Sequence, residues 1–473
     1  MNAITTLLLP LPRRSIFAPT SAYEWVVFIL LILALLIAIA SAAFLLYFWI
    51  RKRMRRANAG SENEAKMLEQ IKELNEELYD VTKERDALLG IPGATGGKGK
   101  GKGGEEEDDG KRFTRLLIID DKYKDGDFKV ETPADSQGLD LAAICTRFRD
   151  FACSQMRLYY TIDTVREFFA SMGATHFLIL EGISGTGKTS LPYCLGRFFQ
   201  HPSAICAVQP NWRDRSEVLG YYNDFTKKFT ETTFLASAYE ANYRDDMSII
   251  VLDEMNLARV EYYFAEFLSV MEMPKPEEWL IDVIAGFRDD DPKKLKDGKI
   301  LIPQNIWFVG TANNDDSTFT ITDKAYDRAM SLFFENKGKP FEAPYTEALP
   351  IAADYLNGLY AQAKIDHPVS QDTLDKFAIL DDFVIENFRL AFGNRIMKQL
   401  NSFVPCYIAC GGTELNAFDF VFKTKILKKF EVLNVGYMRE ELLALQDKLT
   451  ELFGESEFPQ SRAKIAQFLK MSK

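Results

Sequence analysis

The pattern of hydrophobic and polar positions changes character several times along the 473 residues. Residues 25–50 carry no charged side chain and are mostly Leu, Ile, Ala, Val and Phe. As a helix this run would be roughly 39 Å long, enough to cross a hydrocarbon core about 30 Å thick. Trp25 at one end and Tyr47 and Trp49 at the other suit the two interfaces. Farther on, Met67, Ile71, Leu74, Leu78, Val81 and Leu88 alternate spacings of four and three, with Arg85 as a basic interruption. That seam fits a short coiled coil over 67–89, or a solitary charged spacer helix. Beyond Arg112 the pattern becomes that of a globular core. Short apolar runs at 177–180, 249–252 and 306–309 are too brief for buried helices and predict buried parallel strands. A further strand is expected over 113–120. One or two helices are expected over 139–172, with Asp163 as the N-cap ahead of Val165, Phe168 and Phe169. Residues 281–284 and 299–302 suggest a hairpin. From about 336 the period is helical, over 352–364, 373–387, 394–408, 417–428, 439–453 and 462–471, punctuated by Pro350, Pro368, Pro405 and Pro459. Helix stripes such as Phe418, Val421 and Phe422 belong to a core. Strands alternating with helices predict an α/β fold, a parallel sheet with helices on both faces over 112–335, and an all-α part over 336–473.

Charge refines this picture. Only Arg13 and Arg14 precede the long apolar run, in an N-terminal tail of residues 1–24. Arg51, Lys52, Arg53, Arg55 and Arg56 follow it, in a basic segment over 51–66. Five cations against two predict a single-pass membrane protein with its N-terminus outside and the globular part in the cytoplasm. A secretory signal peptide is excluded by the length of the run, the charge order and the lack of a small-residue cleavage site. Residues 90–111 hold too many glycines and charges to pack, with Lys98, Lys100 and Lys102 ahead of an acidic stretch over 105–109, and read as a flexible linker. Net charge is −11, which argues against nucleic acid bound through a generally basic surface. The six cysteines show no disulfide framework or zinc spacing and read as buried free thiols.

The candidate chemistry sits where the apolar runs end. After 177–180 comes Gly182-Ile183-Ser184-Gly185-Thr186-Gly187-Lys188-Thr189-Ser190, a match to G-x-x-x-x-G-K-[ST] in its strand–loop–helix context. Glycines there let backbone N–H groups point inward, and the following helix adds its positive end, so the loop makes a phosphate cradle. Lys188 would reach the β- and γ-phosphates, and the Thr189 hydroxyl would ligate Mg²⁺. The run 249–252 delivers Asp253, a second Mg²⁺ ligand, and Glu254, which would polarise an attacking water. The run 306–309 leads to Asn313, whose amide can position that water. Arg328, farther along, could stabilise charge at a neighbouring subunit's site, and Arg395 offers another cation toward the γ-phosphate. Tyr159, Tyr160 and Ile162 are either cover for a base or core packing. The stretches 208–222, with Trp212, Arg213 and Arg215, and 280–303 either face a substrate or have a local structural or inter-subunit role.

Taken together, GISGTGKTS, VLDEMNLARVEYYFAEFLSVME, GTANNDD, DKAYDRA and GNRIMKQL resemble the AAA+ ATPases of the dynein-related branch, and most of all McrB-like NTPases. The DEMNLA phrase is also similar to midasin and MoxR-type ATPases. The resemblance covers about 139–431. It implies a Walker A motif at 182–189, Walker B carboxylates at Asp253 and Glu254, sensor 1 at Asn313, a trans-acting arginine finger at Arg328 and sensor 2 at Arg395. It also implies ATP and Mg²⁺ as ligands, and assembly into a ring, commonly a hexamer. The chain departs from GTP-using McrB proteins at Asn314-Asp315-Asp316-Ser317, which lacks their arginine, so ATP is favoured over GTP. It also shows neither their DNA-reading domain nor a nuclease constellation. The function expected is therefore an ATP-hydrolysing ring tethered to a lipid bilayer, remodelling or gating an unidentified partner, in bacterial defence through a separate effector. The alternatives are a nucleotide-dependent scaffold with little turnover, or a GTPase.

Overall fold

The apolar runs pair with one another as strands because each is buried on both faces. The computed structural model describes residues 110–131, 138–313, 318–335, 337–433 and 435–471, all within one unit, Glu107–Lys473. In chain order its strands are β1 (Phe177–Gly182), β2 (Ala204–Ala207), β3 (Gly220–Asn223), β4 (Lys228–Glu231) and β5 (Ser248–Asp253). They continue with β6 (Leu280–Asp282), β7 (Leu295–Lys296), β8 (Lys299–Leu301), β9 (Ile306–Asn313) and β10 (Met330–Phe334). Five form the central sheet in the order β10-β1-β9-β5-β2, every neighbour parallel. Alternate residues feed opposite faces, as the strand period requires. Leu178 and Leu180, Ile249 and Val251, and Trp307 and Val309 enter one core; Phe177 and Ile179, Ile250 and Leu252, and Ile306 and Phe308 enter the other.

The first core is closed by helices Leu141–Met156, Ile162–Ala174 and Ser190–Phe198 together with the C-terminal helices. The second is closed by Arg115–Lys122, Thr233–Glu240, Val260–Tyr263 and Ala265–Val270. The expected α/β layering is thus present, with two local differences. Residues 113–120 are not a strand: Phe113, Leu116 and Asp120 are buried at helical spacing, and Asp120 accepts hydrogen bonds from the Tyr239 and Tyr243 hydroxyls at 2.5 and 2.6 Å. Asp163 is not an N-cap either. Thr161 caps the helix by accepting from Thr164 N at 3.1 Å, and Asp163, within the first turn, pairs with Arg166.

Two small β-elements flank the sheet, the hairpin β3–β4 and the antiparallel group β6-β8-β7; the pairing expected of 281–284 with 299–302 is present in part, as Leu280–Asp282 with Lys299–Leu301, and β7 pairs with β8 on its other side. The C-terminal part comprises helices Ala353–Asp366, Gln371–Phe388, Asn394–Ala409 and Glu414–Val421, an irregular π and 3₁₀ segment over 422–432, and helices Arg439–Phe453 and Pro459–Met471. Helix Asn394–Ala409 packs against helix Ile162–Ala174 and joins the first core, so the helical part and the sheet share one hydrophobic interior. All six cysteines are buried and unpaired.

The membrane placement is corrected. No helix among the described residues is long and apolar enough to cross a membrane. The run 25–50 on which that placement rested lies outside the described residues, as do the expected coiled coil at 67–89 and nearly all of the linker at 90–111.

Candidate functional site

Parallel strands leave their carboxyl ends together, and three of them deliver the candidate groups to one edge of the sheet. The register sets Gly182 of β1 opposite Asn313 of β9, and Leu252 of β5, which precedes Asp253, opposite Gly310. β1 turns at Gly182, whose φ of 140° suits glycine alone; a Cβ there would also lie 2.2 Å from the Phe334 carbonyl oxygen of β10. The loop then runs into helix Ser190–Phe198, whose N-terminal end turns the positive pole of its dipole toward the loop. Thr186 braces the loop by donating to the Ile183 carbonyl at 2.8 Å, and the Tyr160 hydroxyl donates to the Gly187 carbonyl at 3.1 Å. Ser184 and Ser190 lie at the loop's entry and exit, as the motif places them.

Lys188 is buried and folded across the loop, donating to the carbonyls of Gly182 at 3.0 Å and Ile183 at 2.8 Å. Burial lowers its pKa, an effect that Asp253 and Glu254 oppose. An ammonium held by two carbonyls in a glycine-built loop suits an incoming anion, because a triphosphate offers it full charges in exchange for dipoles.

Asp253 closes β5 and accepts from two hydroxyls on the same oxygen, Thr189 Oγ1 at 2.8 Å and Thr311 Oγ1 at 2.7 Å. Hydroxyl and carboxylate oxygens are the hard donors that Mg²⁺ takes, so Thr189 and Asp253 fit such an ion shared with phosphate oxygens. Glu254 then adopts a left-handed conformation, φ 52°, uncommon for a side chain of this kind. The turn is held by Glu254 N donating to Thr311 Oγ1 at 2.9 Å and by Leu257 N donating to the Glu254 carbonyl at 2.9 Å. Its effect is to bring the carboxylate to Asn313, whose Nδ2 donates to Glu254 Oε1 at 3.2 Å. Asn256 fixes the other side by donating to the Asn313 carbonyl at 2.8 Å. Lys188, Thr189, Asp253, Glu254 and Asn313 thus form one constellation. Thr311 and Asn256 belong to it as well; they lie within the GTANNDD and DEMNLA phrases, without a role assigned there, and a threonine two residues before Asn313 on an otherwise apolar strand was the available signal.

Beside the phosphate loop opens a cavity of about 620 Å³ lined by Tyr159, Tyr160, Ile162, Thr186, Phe334 and Gln460 among others. Its size suits a nucleoside, and it brings the three residues weighed as base cover to the loop's flank. Glu167 and Gln460 lie at its wall, joined by a 2.8 Å hydrogen bond, and burial raises the Glu167 pKa to about 7.

Two expected cations stand elsewhere. Arg328 precedes β10, at the amino ends of the strands. The five residues paired from Leu178 to Gly182 separate it from the phosphate loop by about 13 Å or more along the strand. Its Nε lies 3.1 Å from Glu272 Oε1. Arg395 was expected toward the γ-phosphate of its own chain, but the structure places it on the same Glu272 carboxylate, with Nε 2.8 Å from Oε1. The cause is the packing of helix Asn394–Ala409 on helix Ile162–Ala174, which carries its first turn to the amino-terminal side. Arg328, Arg395, Lys398 and Glu272 line a cavity of about 330 Å³ there.

Two of the side chains singled out in 208–222 find partners within the chain. Trp212 stacks edge-on against Tyr263 at 5.2 Å, and Arg215 pairs with Glu266 at 2.9 Å, so both serve the chain's own packing. The most exposed aromatic of the β3–β4 hairpin is Phe225 between its strands, 99% accessible, and Tyr221 of β3 is exposed as well.

No family model matches the chain. A sequence relative is the type IV methyl-directed restriction enzyme EcoKMcrB subunit of Escherichia coli K12, 23% identical over 175 residues, which is 35% of this chain. The chain spans about a third of that relative's length, 36%. Among solved structures, a protein of Cytophaga hutchinsonii described as an ATPase aligns with a TM-score of 0.42 at 12% identity, over 71% of this chain and 96% of that one. The chain is thus similar in sequence to an McrB subunit, and its parallel sheet with a glycine-built phosphate loop is consistent with a P-loop ATPase fold.

Proposed function

We propose that the chain is an ATP-hydrolysing AAA+ subunit of the McrB-like type, acting in a ring of identical subunits. The observation that carries this reading is the junction of Lys188, Thr189, Asp253, Glu254 and Asn313 at the carboxyl ends of β1, β5 and β9. Backbone N–H groups of the loop and Lys188 hold the β- and γ-phosphates, and Thr189 and Asp253 would hold a Mg²⁺ ion, which would supply neutralising charge to the phosphate oxygens. Glu254 takes a proton from the water that attacks the γ-phosphorus, while the bond from that phosphorus to the departing ADP oxygen breaks. Asn313 orients the Glu254 carboxylate for this role. The base occupies the cavity beside Tyr160. ATP is preferred to GTP on the sequence at 314–317.

Arg328 and Arg395 sit on the far edge of the sheet, too distant to serve the same chain's phosphates, and so complete the site of a neighbour. Glu272 keeps the two guanidiniums paired until a neighbour's phosphate competes for them. Turnover to ADP and phosphate drives remodelling or gating of a separately encoded partner. The similarity to a restriction subunit motivates placing that work in bacterial defence.

The test uses the purified full-length chain. Lys188→Ala should lose ATP binding, whereas Glu254→Gln should bind ATP and turn over at least about 100-fold more slowly. Mixing Lys188→Ala subunits with Arg328→Ala subunits should recover part of the lost turnover, since mixed interfaces hold complete sites. Tight binding with negligible wild-type turnover under all conditions would replace the motor by a nucleotide-dependent scaffold. An Arg328→Ala chain that assembles normally yet gains nothing on mixing would remove Arg328 from the composite site.

A further inference from the structure

The turn that carries Arg328 is held to an unusual degree, and by the helical C-terminal part. All four carbonyls from Tyr326 to Ala329 accept a side-chain hydrogen bond. Lys425 Nζ donates to the Tyr326 carbonyl at 2.7 Å and also to that of Ala329. Gln399 Nε2 donates to the Asp327 carbonyl at 3.1 Å, and Thr175 Oγ1 to the Arg328 carbonyl at 3.2 Å. The Asp327 carboxylate is in turn paired with Lys429 Nζ at 3.1 Å.

Lysine is rarely buried without a carboxylate partner, yet Lys425 is 3% exposed and spans the two ends of this four-residue turn through backbone oxygens alone. Lys425, Lys428 and Lys429 occupy one face of an irregular helix, a π turn over Phe422–Ile426 followed by a 3₁₀ stretch over Leu427–Val432. Such turns are found disproportionately at functional positions. Lys428 of the same face binds Glu181 at 3.1 Å. Glu181 is fully buried and immediately precedes Gly182. One short segment therefore touches both the strand that ends in this chain's phosphate loop and the turn that presents Arg328.

Resting on the composite site described above, we infer that Lys425 and Lys429 are positioning residues for Arg328, setting the place of the guanidinium offered to the neighbouring subunit. Lys428 ties that setting to the strand bearing the phosphate loop. A guanidinium displaced by about 1 Å costs on the order of 100-fold where it must meet a transition state, which is why a turn fixed at every carbonyl has value here.

The role is on the donor side of the interface, and that makes it separable from a general effect on folding. Donor subunits carry Lys188→Ala, which abolishes their own site but leaves their arginine; acceptor subunits carry Arg328→Ala. Adding Lys429→Glu to the donor sets two carboxylates face to face beside Arg328, and should cut the turnover recovered on mixing by at least about tenfold. The exchanged pair Asp327→Lys with Lys429→Glu in the donor should restore it to within about threefold. Lys429→Glu placed in the acceptor instead should change neither the recovered turnover nor the KM for ATP by more than about twofold. Lys425→Met in the donor is the second variant and should act in the same direction. Equal recovery with and without Lys429→Glu in the donor would overturn the inference, and so would an equal loss from either side. No recovery in the parent mixture, with both variants assembling as wild type, would overturn the composite site itself and this role with it.

Discussion

Thr311→Val is the most informative single change at the nucleotide end of the sheet. The substitution keeps the shape of a side chain that is 2% exposed and removes only its hydroxyl. That hydroxyl donates to Asp253 Oδ1 at 2.7 Å and accepts from Glu254 N at 2.9 Å. The first is a hydrogen bond to a charged group, worth about 1.5–3 kcal/mol, and the second a neutral one worth about 1 kcal/mol. Losing both costs about 3 kcal/mol. Unfolding entropy is about 2 cal/mol/K per residue, so for a unit of roughly 370 residues that loss lowers Tm by about 4 °C. The functional effect should be larger than the thermal one. Without the hydroxyl the left-handed turn at Glu254 loses one of its two braces, the carboxylate drifts from Asn313, and kcat should fall at least about tenfold with little change in KM for ATP. Thr311→Ser keeps the hydroxyl and should restore most of both. Calorimetry and steady-state hydrolysis decide the matter. A Thr311→Val protein within about 1 °C in Tm and twofold in kcat of the wild type would refute the claim that Thr311 holds the catalytic pair together.

Stability should pass through a minimum near neutral pH. Burial raises the Glu167 pKa to about 7, so between the ordinary carboxylate range and that value the folded state binds the extra proton and stability falls as pH rises, by about 3 kcal/mol in all. Burial lowers the Lys425 pKa to about 7, so above neutrality the unfolded state binds more protons and stability climbs again toward pH 10. Denaturant midpoints against pH should show the trough, and Glu167→Gln should flatten its acid limb; an unchanged acid limb would count against the burial argument. Gly182→Ala should abolish triphosphate binding and destabilise the chain by about 2 kcal/mol or more, since its φ is 140° and the new Cβ would meet the Phe334 carbonyl at 2.2 Å. Fluorescent nucleotide titration and Tm together test this, and wild-type affinity in the variant would refute it.

What the sequence determined by itself is which polar residues stand where the buried strands end, because that depends on neighbours along the chain. The phosphate loop, the Asp253-Glu254 pair and the run ending in Asn313 each couple a buried strand to a polar residue at its end. Strand period and glycine spacing are local properties, so these elements could be placed without coordinates, and the parallel sheet brings them together because carboxyl ends of parallel strands share one edge. Where local pattern misled, a long-range partner had decided. Residues 113–120 are apolar enough for a strand, but Asp120 is drawn inward by Tyr239 and Tyr243, and the helical spacing of Phe113, Leu116 and Asp120 follows from that burial. Asp163 suits the cap by residue type, and the backbone path instead gives that place to Thr161. Tertiary structure alone decided that Arg395 shares Glu272 with Arg328, across 123 residues of chain, because the angle at which one helix packs on another is written in no local spacing. The same holds for Lys425, whose ammonium reaches the Tyr326 and Ala329 carbonyls nearly a hundred residues away. In the sequence it is one lysine among several in a basic helix; its burial, and hence its role, exists only once the helical part closes on the sheet.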